Sequence, residues 1–290
     1  MGGNVQSRTG IIGGSGLYGI EGLEVIDELV IDTPYGAPSD VLTLARMGDH
    51  EVVFLPRHGK GQRFPPHQIN YRANIYAMKL AGVRQIVSVS AVGSLREHIA
   101  PGDFVLVDQF VDRTHSRPST FFDGPIIAHA SMADPVCARL TERLAAAIEA
   151  QGITLHRGGT YLVMQGPQFS SRAESELYRA WGMDVIGMTN MPEAKLAREA
   201  EMCYATVAMS TDYDCWHQEE EDVSIPAVLE IMRNNVSRAT AMLRDFLTEG
   251  PGESCPGGCN HVLDHAIFAE LKNRSDEDLR PIYALVERLL

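Results

Sequence analysis

Short apolar segments of strand length alternate with helical segments along the whole of this chain. Residues 86–93, 104–110 and 160–164 are typical of buried strands, whereas residues 135–151 and 226–247 carry apolar side chains at helical spacing. This alternation predicts an α/β fold, with a twisted mixed central β-sheet flanked by helices.

Nothing in the sequence divides the 290 residues into separate domains. A Pro/Ser-rich linker and internal repeats are both absent from it, so we expect one domain over residues 1–290. Its core should cover residues 11–250, followed by a C-terminal tail of short helices over residues 251–290. Residues 112–134 are polar and lack a clear period, which is typical of a functional loop or an interface arm.

The acidic composition excludes some functions. The net charge of −13 argues against a nucleic-acid-binding protein with a basic face, and it requires local positive charge wherever an anion binds. No apolar run reaches the ~18 residues of a membrane-spanning helix, and the N-terminus lacks the apolar region of a signal peptide. We therefore expect a cytoplasmic protein with neither a nucleic-acid partner nor a membrane partner.

The five cysteines are odd in number and widely spaced, unlike those of a secreted disulfide framework. Cys255 and Cys259 form the one close pair, which is compatible with a local disulfide or with metal binding. We expect an ordinary reduced pair and no metal site, while a bridge between Cys137 and Cys203 stays open.

Residues 205–214 read as a short strand that leads directly into two carboxylates, Asp212 and Asp214. At the carboxyl end of a strand in an α/β fold, such side chains point into the crevice where ligands bind. Because they are two residues apart, they would face the same side, and their repulsion would raise one pKa enough to make a proton donor. The structural alternative is that one caps the next helix and the other is solvated.

Further strand ends carry groups that suit a phosphate ion beside a heterocycle. Phe169 could cover a flat ring, although a buried core phenylalanine is the ordinary alternative. The candidate phosphate-binding residues are Ser15, Arg57, His58, Ser90, Ala91 through its amide, and Thr189. The sequence has no P-loop lysine motif, zinc signature or nucleophilic serine elbow, so the phosphate is predicted to be a reactant.

Gly14, Gly16 and Gly19 formally match the dinucleotide-binding pattern G-x-G-x-x-G. That pattern requires a helix to open at once, but residues 24–31 are strand-like and leave no room for a crossover helix. A nicotinamide-dependent oxidoreductase is therefore a distant alternative.

Seven motifs resemble those of the trimeric purine nucleoside phosphorylase family, and within it the methylthioadenosine phosphorylases. They are IIGGSG at residues 11–16, PRHG at 56–59, VSAVGSLR at 89–96, FFDG at 121–124, GPQFSSRAE at 166–174, GMT at 187–189 and TDYDCW at 211–216. The resemblance covers residues 11 to about 250 and leaves the tail outside it.

The resemblance implies phosphorolysis of 5′-methylthioadenosine to adenine and 5-methylthioribose 1-phosphate in methionine and purine salvage, without a cofactor. It also implies self-association into a trimer or a dimer of trimers. The six phosphate candidates above match the family's phosphate site. The remaining family contacts fall on Phe169, Ser170, Met188, Asp212, Tyr213 and Asp214 for the base and ribose, and on His129 and Ile225 for the 5′-alkylthio end. Whether His129 comes from the same subunit or from a neighbouring one stays open.

The two carboxylates fit this chemistry, with Asp212 as the partner or proton donor of purine N7 and Asp214 as the acceptor from the 6-amino group. An acceptor there should favour 6-aminopurines, because a 6-oxopurine would leave buried groups unpaired. The nearest alternative keeps the reaction and changes the base, as in an inosine, guanosine or methylthioinosine phosphorylase. A non-catalytic nucleoside-binding protein is a third.

Overall fold

A mixed sheet forms the centre of the molecule. The computed structural model describes residues 7–217 and 225–290, without the side chains of residues 15 and 225–228. Within these ranges the strands are β1 Arg8–Gly13, β2 Leu23–Leu29, β3 Leu42–Met47, β4 His50–Pro56, β5 Val83–Ser94, β6 Phe104–Leu106, β7 Gln109–Arg113, β8 Leu155–Arg157, β9 Thr160–Met164, β10 Val185–Gly187 and β11 Cys203–Asp212.

Strand β5 is the hub of the sheet. The strand order is β2-β3-β4-β1-β5-β10-β9-β7, while β11 pairs with β5 and β6, and β8 pairs with β6. Strands β1 and β11 both run parallel to β5, and β10 runs antiparallel to it. The residues of β5 are buried on both faces over most of its length, as expected of a central strand covered by helices on each side. The predicted α/β fold with a mixed sheet is confirmed.

The helices are α1 Tyr71–Leu80, α2 Ala138–Ala150, α3 Arg172–Ala180, α4 Asn190–Glu199, α5 Ile225–Thr248, α6 Asp276–Leu279 and α7 Tyr283–Val286. Side chains of α1 and α4 pack with one face of the sheet, and those of α2 and α5 pack with the other. Successive residues of β11 alternate between these two cores. Ala205, Val207 and Met209 belong to the second core, as expected of alternate residues of a strand.

Two details of the strand prediction are corrected. Residues 104–110 are not one strand, because the chain leaves β11 after Leu106 and forms β7 beside β9 at the far edge of the sheet. Strand β8, with only three residues, was not predicted, since Leu155, His156 and Arg157 lack an apolar run.

The tail packs into the domain. Leu263, Leu279, Ile282 and Leu285 are buried in the same core as α1 and α4. Residues 112–134 begin with the end of β7, and further along Ala128 forms an isolated bridge with the tail. Among the described residues, no helix is long and apolar enough to span a membrane.

Candidate active site

The ends of several strands meet where β5, β10 and β11 come together. Asp212 pairs with Gly93 across a bulge in β11, and Ile186 of β10 pairs with the same glycine from the other side. Ser90 and Ala91 lie on β5 just before this point. β10 runs antiparallel to β5. If its register is continued, the residues that follow β10 therefore lie beside Ser90 and Ala91.

Two buried hydroxyls form the centre of the candidate phosphate site. Ser90 and Thr189 are almost fully buried, and the Ser90 hydroxyl donates to Asn190 Oδ1 at 3.1 Å. The Tyr161 hydroxyl is fully buried and has no hydrogen-bond partner within the described residues. Burial raises the pKa of Tyr161 to about 12, against the effect of the neighbouring Ser90 and Thr189 hydroxyls, so Tyr161 keeps its proton at neutral pH. An unpaired buried donor beside two hydroxyls is suited to an anion.

Arg57 is oriented differently from its predicted role. Its Nε and Nη2 atoms donate to the Glu193 carboxylate at 2.7 and 3.0 Å, and Nη1 donates to the Val89 carbonyl at 3.0 Å. Both side chains of this ion pair are almost fully buried. Burial alone would lower the pKa of Arg57, but the adjacent carboxylate raises it. The guanidinium fork therefore faces Glu193, because a buried guanidinium needs its paired carboxylate, and the assignment of Arg57 to the phosphate site stays a prediction.

The His58 ring is bound to a backbone carbonyl. Its Nδ1 lies 2.9 Å from the Phe64 carbonyl oxygen, which can only accept, so Nδ1 carries the hydrogen. Burial lowers the pKa of His58, partly offset by that hydrogen bond, and the neutral ring is favoured. A neutral ring bound in this way has an acceptor, not a donor, left at Nε2.

The two carboxylates are held by short local contacts. Asp212 accepts from the Thr211 hydroxyl at 2.7 Å and from the Asp214 backbone N–H at 2.8 Å. Asp214 adopts a left-handed backbone, with φ of 52°, and accepts from the Ser175 hydroxyl at 2.5 Å. A Cβ atom on Gly93 would lie 3.1 Å from Asp212 Oδ1, so glycine gives the carboxylate its space. Neither aspartate simply caps the next helix in solvent.

The electrostatics of the pair are asymmetric. Burial raises the pKa of Asp214 above its ordinary value, and the nearby Asp212 charge adds to the rise, whereas the Ser175 hydrogen bond opposes it. This is the direction that the sequence predicted for one member of a carboxylate pair.

The candidate base-binding residues differ in burial and in their contacts with this pair. The Phe169 side chain is 84% exposed, which rules out the core alternative. Met188 is half-buried, and a Cβ atom on Gly166 would come within 2.5 Å of its sulfur. The Ser170 carbonyl accepts from the Cys215 thiol at 3.4 Å, which brings the β9–α3 loop next to the carboxylate turn. The Tyr213 ring stacks on His217, with centroids 4.7 Å apart.

Three predicted residues are not joined to this group by the described contacts. His129 is exposed and donates its backbone N–H to Ala266 of the tail, and its ring centroid lies 5.9 Å from that of Phe268. The side chains of Ser15 and Ile225 lie outside the described residues.

Four residues with contacts at the site were not predicted as site residues from the sequence: Tyr161, Ser175, Glu193 and Arg117. Arg117 is almost fully buried and donates to the carbonyls of Met188 and Gln165 at 2.8 and 2.6 Å, which joins the polar segment to the ends of β9 and β10. The sequence feature that could have indicated it is an arginine in a polar segment that has neither helical nor strand periodicity. The other three lie inside ordinary strand and helix patterns, which gave no signal of their contacts.

The glycine-rich turn does not open a dinucleotide-binding unit. A single 3-10 turn, Ser15–Tyr18, follows β1, and the chain then enters β2, which pairs antiparallel with β3. The crossover helix that places a pyrophosphate at its N-terminus is absent between Arg8 and Leu29, all of which the structure describes.

Comparison with known proteins gives a consistent result. The family model described as the phosphorylase superfamily matches residues 8–248. The S-methyl-5′-thioadenosine phosphorylase of Geobacter sulfurreducens is 52% identical over 281 residues, covering 94% of this chain and 98% of that protein. The protein of the same name from Bradyrhizobium diazoefficiens is 51% identical, covering 98% and 99%.

Solved structures agree with the sequence relatives. A methylthioadenosine phosphorylase from an antarctic soil metagenomic library superposes with a TM-score of 0.91 at 43% identity, covering 97% of this chain and 99% of that one. A mutant adenosine/methylthioadenosine phosphorylase from Schistosoma mansoni, in complex with methylthioadenosine, gives a TM-score of 0.78 at 37% identity, covering 83% and 90%.

Proposed function

Because this chain belongs to the phosphorylase superfamily, and within it to the S-methyl-5′-thioadenosine phosphorylases, we propose that it catalyses reversible phosphorolysis of 5′-methylthioadenosine. The products are adenine and 5-methylthioribose 1-phosphate, which serve methionine and purine salvage. The observation that carries this proposal is the meeting of the Asp212–Asp214 pair with the buried hydroxyls of Ser90 and Thr189 at adjoining strand ends.

The reaction needs opposite charges on its two sides. As the C1′–N9 bond breaks, its electron pair goes to the purine and the ribose gains oxocarbenium character. A phosphate dianion below the ring stabilises that cation, and one of its oxygens forms the new bond to C1′. The departing adenine takes a proton at N7, and we assign Asp212 as the donor of that proton. Asp214 accepts a hydrogen bond from the 6-amino group.

The phosphate site combines short donors with a buried positive charge. We assign the donors to the hydroxyls of Ser90 and Thr189, to the Ala91 amide, and to Ser15. Arg57 contributes its charge to the site while it stays paired with Glu193. His58 accepts through Nε2 from the O–H of monohydrogen phosphate, since its Nδ1 is bound to Phe64. Tyr161 adds the unpaired O–H.

Base selectivity follows from the acceptor character of the carboxylates. Asp214→Asn turns an acceptor-only group into one that can donate to a 6-oxo group. We expect the ratio of kcat/KM for methylthioadenosine to that for inosine to fall by about 10²-fold or more in this variant. An unchanged ratio would remove Asp214 from base recognition. Ser170, Tyr213, Met188 and Phe169 enclose the base in this proposal.

We assign contact with the 5′-alkylthio end of the substrate to His129 and Ile225. The proposed enzyme is a trimer or a dimer of trimers in the cytoplasm. Support comes from the exposed apolar side chains around His129, among which Ile127 is 58% exposed and Phe268 is 82% exposed. Exposed apolar groups clustered in this way are typical of an association surface. Light scattering on the purified protein tests this, and a monomer at working concentrations would contradict it.

The chemical identity of the sugar product separates phosphorolysis from hydrolysis. With methylthioadenosine and phosphate, ³¹P NMR should show one sugar 1-phosphate formed for each adenine released. Release of adenine with free methylthioribose and unchanged phosphate would contradict the proposal.

A further inference from the structure

Four of the five cysteines converge on one point at the opposite end of β11 from the carboxylates. The sulfur atoms of Cys137, Cys203, Cys255 and Cys259 all lie within 4.8 Å of one another. Three of these residues are buried and Cys255 is half-buried. All four are free thiols in the structure.

Three separate parts of the chain supply these thiols. Cys137 immediately precedes α2, and its backbone N–H donates to the Tyr204 carbonyl oxygen at 2.8 Å. Cys203 is the first residue of β11. Cys255 and Cys259 come from the tail and have three residues between them, a spacing that zinc-binding cysteine pairs use. Gly258, with φ of 68°, turns the chain so that the second thiol reaches the first.

The spacing of the sulfurs fits a single metal ion. Zn–S bonds of about 2.3 Å at tetrahedral angles place the sulfurs about 3.8 Å apart. The Cys137 and Cys255 sulfurs are 3.6 Å apart, whereas a disulfide would require about 2.05 Å. Mutual proximity of all four sulfurs is what one tetrahedral site needs, and two separate disulfides do not need it.

We propose that Cys137, Cys203, Cys255 and Cys259 bind one Zn²⁺ as four thiolates in a closed structural site. Four thiolates and one Zn²⁺ carry a net charge of −2, which nearby cations offset. Arg139 Nη2 lies 3.8 Å from the Cys203 sulfur, and Arg198 Nη1 lies 3.6 Å from that of Cys259. Such N–H···S contacts orient thiolate ligands and stabilise their charge. The expectation of no metal site is thereby revised.

The four-sulfur set decides both the metal and its role. Tetrahedral S₄ coordination selects zinc among the common divalent ions and leaves no open position for substrate or water. Sulfurs this close enclose one ion and leave no volume for a multi-iron cluster. The nine residue steps of β11 from Cys203 to Asp212 span about 30 Å, which excludes the site from the chemistry at the carboxylates.

The metal would fasten the tail to the core. Within the tail, Leu263 N–H donates to Glu201 at 2.9 Å and Arg288 Nε donates to the same carboxylate at 2.6 Å. The zinc site adds a third link on the same side of the molecule. Cys203 and Cys255 also line a cleft of about 640 Å³, which gives the ion a route from solvent.

Metal analysis of the full chain tests the proposal. Protein purified under reducing conditions, with no metal added, should contain about one zinc per chain by plasma mass spectrometry. A mercurial thiol reagent should release that zinc, and refolding with Co²⁺ should give the intense visible absorption of a tetrahedral tetrathiolate complex. Zinc-free protein with five titratable thiols, two disulfides found by mass spectrometry, or bound iron would each overturn it.

Variants separate the site from cysteine loss in general. Cys255→Ser and Cys259→Ser should each lose most of the zinc and lower Tm by about 5–10 °C, without a change in the KM for phosphate. Cys215→Ser removes the one cysteine outside the cluster and should retain the zinc. If Cys215→Ser loses as much zinc as the other two, the assignment of ligands is wrong.

Discussion

Asp212 and Asp214 share one turn but differ in their surroundings, and the difference makes separate predictions for each. Asp212 accepts from the Thr211 hydroxyl through Oδ2 and from the Asp214 N–H through Oδ1. An asparagine could keep the Asp214 contact through its amide oxygen and donate from its amide nitrogen to the Thr211 hydroxyl oxygen. Asp212→Asn should therefore fold normally while losing the proton for N7. We expect kcat to fall about 10²–10⁴-fold with a nearly unchanged KM for phosphate, measured by initial rates. Near-normal turnover would exclude Asp212 from the mechanism.

The raised pKa of Asp214 predicts a pH dependence of stability. Because the folded-state pKa lies above the ordinary value of 3.8, the native protein binds more protons than the unfolded chain between the two values. This contribution to stability is therefore full below 3.8 and is lost as pH rises through the folded-state pKa. Asp214→Asn lacks that loss, so its stability relative to the wild type should increase as pH rises.

Urea denaturation across pH measures this difference. Asp134→Asn, at an exposed carboxylate, is the matched control and should show a stability difference that varies little with pH. If the stability of Asp214→Asn relative to the wild type stays constant or falls as pH rises, the carboxyl is not destabilised by burial.

The Arg57–Glu193 pair predicts that one carboxylate supports both stability and phosphate binding. The Glu193 oxygens accept from Arg57, from Ser88 at 2.7 Å and from Tyr204 at 2.9 Å. Glu193→Gln leaves a buried guanidinium unpaired, which should cost about 3–5 kcal/mol and raise the KM for phosphate.

A surface pair provides the control. Glu28 and Lys60 form an ion pair at 3.2 Å in which both side chains are 59% exposed, so Glu28→Gln should change stability by only about 0–1 kcal/mol. Equal effects of the two substitutions in chemical denaturation would contradict the role given to the buried pair.

At the scale of elements, the end of β5 sets the geometry of the site. A Cβ atom on Gly93 would lie 3.1 Å from Asp212 Oδ1 and 3.2 Å from Ile186 Cγ2, so it would press on two strands at once. Gly93→Ala should displace the carboxylates and reduce kcat/KM by about 10²-fold. Gly124→Ala, where a Cβ meets nothing within 4 Å, should retain activity in the same assay. Full activity of Gly93→Ala would mean that β5 does not position the pair.

The sequence predicted elements better than it predicted side-chain partners. Long apolar runs such as β5 and β11 have an unambiguous period, and their polar ends correctly marked the carboxylate turn. The run over residues 104–110 was divided between two separate places in the sheet, because pairing with β11 and with β9 outweighs local pattern. Local propensity carries no information on such long-range choices.

The direction of side chains was the other feature that could not be predicted from the sequence. Arg57 was correctly marked as a cation at a strand end, yet its partner Glu193 is 136 residues away in sequence and lies inside α4. The four cysteines are likewise spread over more than a hundred residues, so their convergence is a property of the fold and not of any motif.

At the scale of the whole molecule, two different groups of residues lie at opposite ends of one sheet. The carboxyl ends of β5 and β11 hold the candidate active site, and the opposite end of β11 holds the cysteine cluster that joins the tail. The overall charge of −13 repels a phosphate dianion. We therefore expect phosphate binding to depend on local donors and on the buried charge of Arg57.

The central claim is tested most directly by adenine release from methylthioadenosine, measured with and without phosphate beside inosine. We predict that release requires phosphate, and that kcat/KM for methylthioadenosine exceeds that for inosine by at least about 10²-fold. Adenine release at the same rate without phosphate, or a preference for inosine, would contradict the account.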